Sequence, residues 1–194
     1  MAARPDDAIV TAQDFRADGD TIAALRTLRR AAKRAPKSHE LLLALGTELD
    51  LQNDHKGAAQ ILHRALLLKP DDVETLNTLG NAEQACGRLA GALTCYEKAA
   101  ALMPESPELR INIGDMLRQS GSYEEAKHHL QDALSIAPNN VFAHYHLAII
   151  ALQSGAADTA LTHLDVCLGE RSYYPEALAL KAAALRAGKH FAEA

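Results

Sequence analysis

Apolar residues along this chain recur at helical spacing, in blocks separated by short polar segments that contain glycine or proline. In one block Leu42, Leu45 and Leu49 lie three and four residues apart, which places them on one face of an α-helix. Later blocks repeat this pattern, and no segment shows the sustained alternation of apolar and polar residues that is typical of a half-buried strand. The pattern therefore predicts an all-α fold built from amphipathic helices.

A period of thirty-four residues runs through these blocks. It is carried by four prolines, Pro36, Pro70, Pro104 and Pro138. When each proline is counted as position 32 of a repeat, position 15 is glycine or asparagine and position 20 is always alanine. Position 15 holds Gly19, Asn53, Gly87, Gly121 and Gly155, and position 20 holds Ala24, Ala58, Ala92, Ala126, Ala160 and Ala194. A constant interval of this length indicates one supersecondary unit repeated along the chain.

Each of these recurring repeat positions, or columns, has a structural role. Glycine or asparagine at position 15 can adopt positive φ at little cost, which ends one helix and turns the chain. Alanine at position 20 lets a second helix approach the first closely. Proline at position 32 cannot continue a helix, so it closes the repeat. The columns therefore predict five hairpins of two antiparallel helices, followed by part of a sixth.

The combined columns resemble the tetratricopeptide repeat, which joins Leu-Gly, alanine, an aromatic residue or leucine, alanine and proline. Residues 39–72 carry this pattern as Leu45-Gly46, Ala58, Leu62, Ala65 and Pro70. The fifth repeat is weaker, because Ala148 replaces the glycine and Ser172 replaces the proline. The resemblance implies a right-handed superhelical solenoid. Its expected parts are a tail (1–4) and a single array of repeats 5–38, 39–72, 73–106, 107–140, 141–174 and a partial 175–194.

Composition narrows the range of functions. The net charge of −5 provides no overall attraction to nucleic acid, and no apolar run is long enough to span a membrane. The three cysteines, Cys86, Cys95 and Cys167, are odd in number and far apart, which favours a reduced, cytoplasmic chain. The N-terminus leads into polar sequence without the apolar core of a secretory signal.

Motifs for catalysis and for metal binding are missing from the sequence. There is no Gly-x-Ser-x-Gly, no glycine loop for phosphate, no Cys-x-x-Cys and no His-Glu-x-x-His. Among the nine histidines, His144 and His146 are two residues apart on a predicted helix, so they point to different sides. We therefore expect no cofactor, no metal and no catalytic residue, which makes this a non-catalytic chain.

The resemblance also implies that the first helices of the repeats line a concave groove. The candidate peptide-binding residues at groove positions are Asn77, Asn81, Asn112, Asp115, Arg118, Phe142, Tyr145 and His146. Asn81 and Asn112 resemble the asparagine pair with which this family holds extended peptides, since an amide both donates and accepts hydrogen bonds. Phe142, Tyr145 and His146 could form a pocket for a side chain. The alternative is that Asn77 and Asn81 only solvate a helix face.

One subset of the family binds C-terminal carboxylates through lysine or arginine placed beside these asparagines. Here Asn77, Phe142 and His146 occupy the corresponding positions, so the fixed positive charge is missing. The resemblance therefore favours an internal, uncharged segment as the ligand. We expect a protein-interaction scaffold that takes an extended peptide or a partner helix.

Two alternatives to a self-contained scaffold stay open. The residues from Phe191 to Ala194 match the start of a second helix, which predicts that the chain is the N-terminal part of a longer protein. The array could then recruit substrates for a bacterial dioxygenase, sulfotransferase or glycosyltransferase. Exposed array ends could also pair into a homo-oligomer. Light scattering across a concentration series would detect such pairing.

A basic stripe stands apart from the groove. It consists of Arg26, Arg29, Arg30, Lys33, Arg34 and Lys37, at helical spacing and with no acid among residues 21–37. One interpretation is a solvated helix face whose cations lie favourably near a helix C-terminus. The other is a docking site for an anionic partner such as RNA, an acidic protein or a lipid surface.

Overall fold

The computed structural model describes the backbone of residues 5–192 and the side-chain surroundings of residues 5–188. The predicted tail (1–4), Glu193 and Ala194 lie outside the described residues. The described part of the chain forms eleven α-helices and no strand, which confirms the all-α prediction. The helices are α1 (Pro5–Ala17), α2 (Thr21–Arg34), α3 (His39–Leu51), α4 (His55–Leu68), α5 (Val73–Ala85), α6 (Leu89–Leu102), α7 (Pro107–Gln119), α8 (Tyr123–Ile136), α9 (Val141–Gln153), α10 (Ala157–Glu170) and α11 (Pro175–Ala192).

A residue with positive φ turns the chain between the two helices of each hairpin. The φ angles are 82° at Gly19, 62° at Asn53, 74° at Gly87, 87° at Gly121 and 76° at Gly155. Glycine adopts this conformation without a steric penalty, and asparagine adopts it more readily than most other residues. The turns predicted from position 15 are therefore confirmed.

The chain divides into two compact units, Met1–Met103 and Pro104–Ala194. In the N-terminal unit the hairpins α1–α2, α3–α4 and α5–α6 pack side by side, with α3 against α2 and α5 against α4. Its alanine column is fully buried at Ala24, Ala58 and Ala92. One small side chain per hairpin is therefore fully enclosed by the packing of the helices. The single continuous array stays a prediction.

At position 8 of the repeat, the two helices of a hairpin approach each other closely. A Cβ atom placed on Gly80 of α5 would lie 2.5 Å from Cε1 of Tyr96 on α6. At Gly46 it would lie 2.5 Å from Cγ of Leu62. These distances are shorter than van der Waals contact, so glycine is needed for the packing as observed.

The C-terminal unit is built from the hairpins α7–α8 and α9–α10, with α11 packed against α10. Ala126, Ala160 and Cys167 occupy alanine-type positions and are fully buried. Ala148, which replaces the glycine of position 8, is likewise fully buried beside a core that includes Leu164. The packing of this hairpin thus accommodates one extra methyl group.

The last helix departs from the predicted pattern. The sequence predicts that a second helix begins at Phe191, whereas α11 runs as one helix of 18 residues from Pro175 to Ala192. Position 15 of this repeat is Lys189, which has neither glycine's freedom at positive φ nor asparagine's tolerance of it. The helix therefore continues through the position at which the other repeats turn.

Candidate peptide-binding site

The predicted groove asparagines of the N-terminal unit lie on α5. Asn81 is exposed, and its Oδ1 accepts a hydrogen bond of 2.7 Å from the hydroxyl of Tyr96 on α6. Tyr96 is itself fully buried, so the core of the hairpin fixes the orientation of the Asn81 amide. Asn77 lies one helical turn earlier on the same side of α5 and is half-buried. The two amides therefore follow one face of the helix.

The candidate residues on α7 form a neutralised ion pair. Nη2 of Arg118 donates to Oδ1 of Asp115 at 2.7 Å, and Nε of Arg118 donates to the same oxygen at 3.1 Å. Nε2 of Gln119 donates to Oδ2 of Asp115 at 2.8 Å. The Arg118 and Asp115 side chains are only 18% and 14% exposed. Because Arg118 and Asp115 neutralise each other, a ligand at this part of the surface does not need a charged group. Asn112 lies half-buried on the same helix.

His146 on α9 lies beside this ion pair. Its Nδ1 is 3.3 Å from Oδ1 of Asp115, without the geometry of a hydrogen bond. Burial lowers the pKa of His146 below its ordinary value, the Asp115 carboxylate opposes the shift and the Arg118 guanidinium adds to it. The imidazole is therefore neutral at neutral pH. Neutral imidazole adds a polar but uncharged edge to the surface.

An aromatic cluster lies on the other side of His146. The ring of Tyr145 is 5.6 Å from His146 and 5.1 Å from Tyr174, and Phe142 meets Tyr174 edge to face at 6.5 Å. The guanidinium carbon of Arg171 lies 5.2 Å from the Tyr174 ring centroid. Burial raises the pKa of both Tyr145 and Tyr174, so the phenols stay neutral. Phe142 remains 50% exposed. The cluster is thus a neutral apolar surface with one cation at its edge.

Reasoning from repeat positions missed Tyr174 and Arg171. Both precede α11, outside the first-helix positions from which the groove was predicted. A signal was present, because the chain has only eight aromatic residues and two of them stand together at Tyr173 and Tyr174. That pair also follows Ser172, where the proline column fails.

The structure places the eight predicted residues in two groups. Asn77 and Asn81 belong to the N-terminal unit. The other six belong to the C-terminal unit, which brings together Asp115, Arg118 and His146, and joins Phe142 with Tyr145 through Tyr174. The predicted pairing of Asn81 with Asn112 would draw on both units and stays a prediction.

Two further features are missing from the described part of the chain. Among the side chains of residues 5–188, no group of three or more histidine, cysteine, aspartate and glutamate residues could hold a metal ion. No helix of residues 5–192 combines the length and the apolar character needed to cross a bilayer.

Two histidines of the C-terminal unit lie in direct contact. Nδ1 of His144 lies 2.9 Å from Nδ1 of His163, and Nε2 of His144 lies 2.9 Å from the Pro138 carbonyl. The carbonyl can only accept, so Nε2 of neutral His144 carries the hydrogen and its Nδ1 accepts from His163. Burial lowers the pKa of His163, and the neighbouring His144 lowers it further. A second proton would bring two N–H groups face to face.

We expect the free energy of unfolding to fall as the pH drops below about 6.5, the ordinary histidine pKa. The lowered pKa values of His146 and His163 mean that the folded chain binds fewer protons than the unfolded chain in this window. Above it both states are neutral, so stability levels off. His163→Gln keeps a donor for His144 but cannot titrate, so its urea midpoint should change less between pH 7.5 and pH 5. His128→Gln, at an exposed histidine, is the control. Equal slopes for all three proteins would contradict this expectation.

Comparisons with known proteins agree on the architecture. Family models described as tetratricopeptide repeat match residues 9–73, 71–139 and 117–184. PilW, a widely conserved type IV pilus biogenesis factor, is similar with a TM-score of 0.85 at 20% identity, over 94% of this chain and 85% of that chain. MamA from Desulfovibrio magneticus RS-1 is similar with a TM-score of 0.79 at 22% identity, over 89% and 98% of the two chains.

A third similar structure is YrrB, a tetratricopeptide repeat protein with an unusual peptide-binding site. Its TM-score is 0.73 at 19% identity, and the match covers 90% of each chain. No curated protein matches the sequence significantly. At these identities the likenesses show the fold, whereas the family matches follow one another along residues 9–184. Together with the five hairpins and their positive-φ turns, they show that the chain belongs to the tetratricopeptide repeat family.

Proposed function

We propose that this chain is a non-catalytic protein-interaction scaffold that binds an extended peptide or a partner helix along its first helices. The observation that carries the proposal is the half-exposed aromatic cluster beside the neutralised Asp115–Arg118 pair. An apolar surface flanked by fixed polar groups is the usual composition of a protein-binding patch. YrrB, which has the same fold, is a protein with a peptide-binding site.

The amide of Asn81 would meet a peptide mainly as a donor. Its oxygen already accepts from the Tyr96 hydroxyl, so its NH₂ group is the part that remains to face a ligand carbonyl. Such a contact recognises the backbone and is independent of the ligand's sequence. Because the core holds the amide in place, little rotamer entropy is lost when the peptide binds.

Selectivity would come from the C-terminal unit. Phe142 and Tyr145 offer apolar area to one or two ligand side chains. Arg118 already pairs with Asp115, so it does not supply the free cation that a terminal carboxylate requires. The ligand expected at this surface is therefore an internal, largely uncharged segment with an apolar anchor.

A peptide-array screen tests this function. We expect Asn81→Ala combined with Asn112→Ala to weaken binding about tenfold, since each lost hydrogen bond contributes about 0.5–1.5 kcal/mol. Phe142→Ala should lower affinity and reduce the preference for an apolar anchor. The matched control removes two amides elsewhere, Gln131→Ala on α8 with Asn139→Ala in the following loop. Binding that is equal in the groove variants and in wild type would overturn the proposed function.

A further inference from the structure

The basic stripe, which forms one face of α2, is not explained by groove binding. Its six cations are all exposed, and none forms an ion pair or hydrogen bond with a described residue. Five of them lie on α2, and Lys37 lies in the loop that follows: Arg26, Arg29, Arg30, Lys33, Arg34 and Lys37. Two glutamates of the same compact unit pair with other cations: Glu40 with Lys69 and Glu48 with Arg16. The face therefore keeps its full positive charge.

One row of this face borders a cleft. Arg26, Arg30 and Arg34 line a cleft of about 480 Å³ at α1 and α2. They are four residues apart, so their guanidinium groups recur about every 6 Å along the helix axis. Asp7 also lines the cleft and is already engaged in an interaction of its own. Three regularly spaced cations thus form one wall.

The floor of the cleft is apolar. Phe15 of α1, Ala31 of α2 and Ala35, which directly follows α2, line it, and all three are half-buried. An occupant that only neutralised the arginines would leave this floor in contact with water. The cleft therefore matches a ligand that carries negative charge on one edge and apolar side chains on the other.

This combination of arginines and apolar side chains favours one class of anionic partner over the others. A lipid surface is planar and could reach the arginines. Unlike a protein, however, it has no side chain that projects into the cleft. Single-stranded nucleic acid depends on aromatic side chains for stacking, and Phe15, itself half-buried, is the one aromatic residue among those that line the cleft. Carboxylates four residues apart on a helix match the spacing of the arginines, and guanidinium groups bind carboxylates in a bidentate manner.

We propose that this cleft is a second docking site, which binds an acidic amphipathic segment of a partner protein. Carboxylates of the segment bind Arg26, Arg30 and Arg34, and an apolar side chain packs on Phe15 and Ala31. The site lies in the N-terminal unit, on a hairpin that carries none of the predicted groove residues. This proposal can therefore be tested separately from groove binding.

The test uses a fluorescein-labelled helical peptide with glutamate and leucine at four-residue spacing, and a copy with glutamine in place of glutamate. We expect the acidic peptide to bind, to bind more weakly as salt is raised, and to bind about tenfold more weakly to Arg26→Glu with Arg30→Glu. The matched control reverses two exposed lysines of the same unit, Lys56→Glu with Lys98→Glu, and should bind within about twofold of wild type.

Several outcomes would overturn the proposal. If the arginine and the lysine double variants lost the same affinity for the acidic peptide, only the net charge of the protein would matter. If the glutamine peptide bound as tightly as the glutamate peptide, the arginines would have no role in binding. Binding to phosphatidylserine vesicles or to poly(U) without binding to the acidic peptide would assign the face to a lipid or to RNA. Circular dichroism checks folding, and Arg26→Gln with Arg30→Gln replaces the charge reversal if that variant does not fold.

Discussion

Tyr96→Ala should lower the free energy of unfolding by about 3–5 kcal/mol, the cost expected for deleting a fully buried aromatic ring. Tyr96 is 0% exposed and lies between α5 and α6, where its ring fills the space left by Gly80. Alanine would leave a cavity bordered by rigid backbone, which cannot collapse easily. Urea denaturation followed by circular dichroism measures the loss.

Two variants sharpen the test of Tyr96. Tyr96→Phe keeps the ring and removes the hydroxyl that donates to Asn81, so it should cost only about 1 kcal/mol. It should also weaken peptide binding if the hydroxyl orients the Asn81 amide. Tyr123→Ala, at a tyrosine that is 37% exposed, should cost less than about 1 kcal/mol. A Tyr96→Ala protein as stable as Tyr123→Ala would show that the ring is not a core element.

Gly80→Val should destabilise the chain by about 3 kcal/mol, at the upper end of what overpacking costs. A Cβ at this position would lie 2.5 Å from Cε1 and 2.8 Å from Cδ1 of Tyr96, and an aromatic ring cannot bend away. The two helices would have to separate, and the contacts along the whole hairpin would loosen. Thermal and urea unfolding both report this change.

The chain provides its own control for the Gly80 substitution. Apart from its own helix backbone and chain neighbours, a Cβ placed on Gly169 of α10 would meet no described atom within 4 Å, so Gly169→Val should be nearly neutral. In the hairpin α9–α10 the equivalent of Gly80 is Ala148, and leucine replaces the tyrosine as Leu164. Gly80→Ala with Tyr96→Leu reproduces that pair, so leucine at position 96 should reduce the penalty of Gly80→Ala. A penalty that is unchanged in the double variant would contradict the steric argument.

Much of the fold was predictable because its signals are local. The turn at Gly87 depends on the φ angle of one residue, and the burial of Ala92 depends on one helix face. The same logic explains the one failure, at the sixth repeat. A match at Phe191 indicated a second helix, but Lys189 does not make the turn and α11 continues.

The candidate site was predictable only in part. Repeat positions identified Asn81, Asp115 and Tyr145 as surface residues of first helices. They did not indicate that Asn81 accepts from Tyr96, that Asp115 neutralises Arg118, or that Tyr174 completes the aromatic cluster. Each of these contacts depends on side-chain rotamers and on how neighbouring helices are spaced, which a column of residue types does not record.

The sequence alone determined the repeat, its period and the place of the five hairpin turns that form, since backbone conformation and helix-face burial follow from residue type at short range. Tertiary structure decided the chemistry of the surface. It placed a fully buried tyrosine under an exposed asparagine and paired the charges of α7. It also left the cations of α2 beside a partly apolar cleft, with no ion-pair partner among the described residues. Those outcomes depend on which side chains meet across helices, and packing alone settles that.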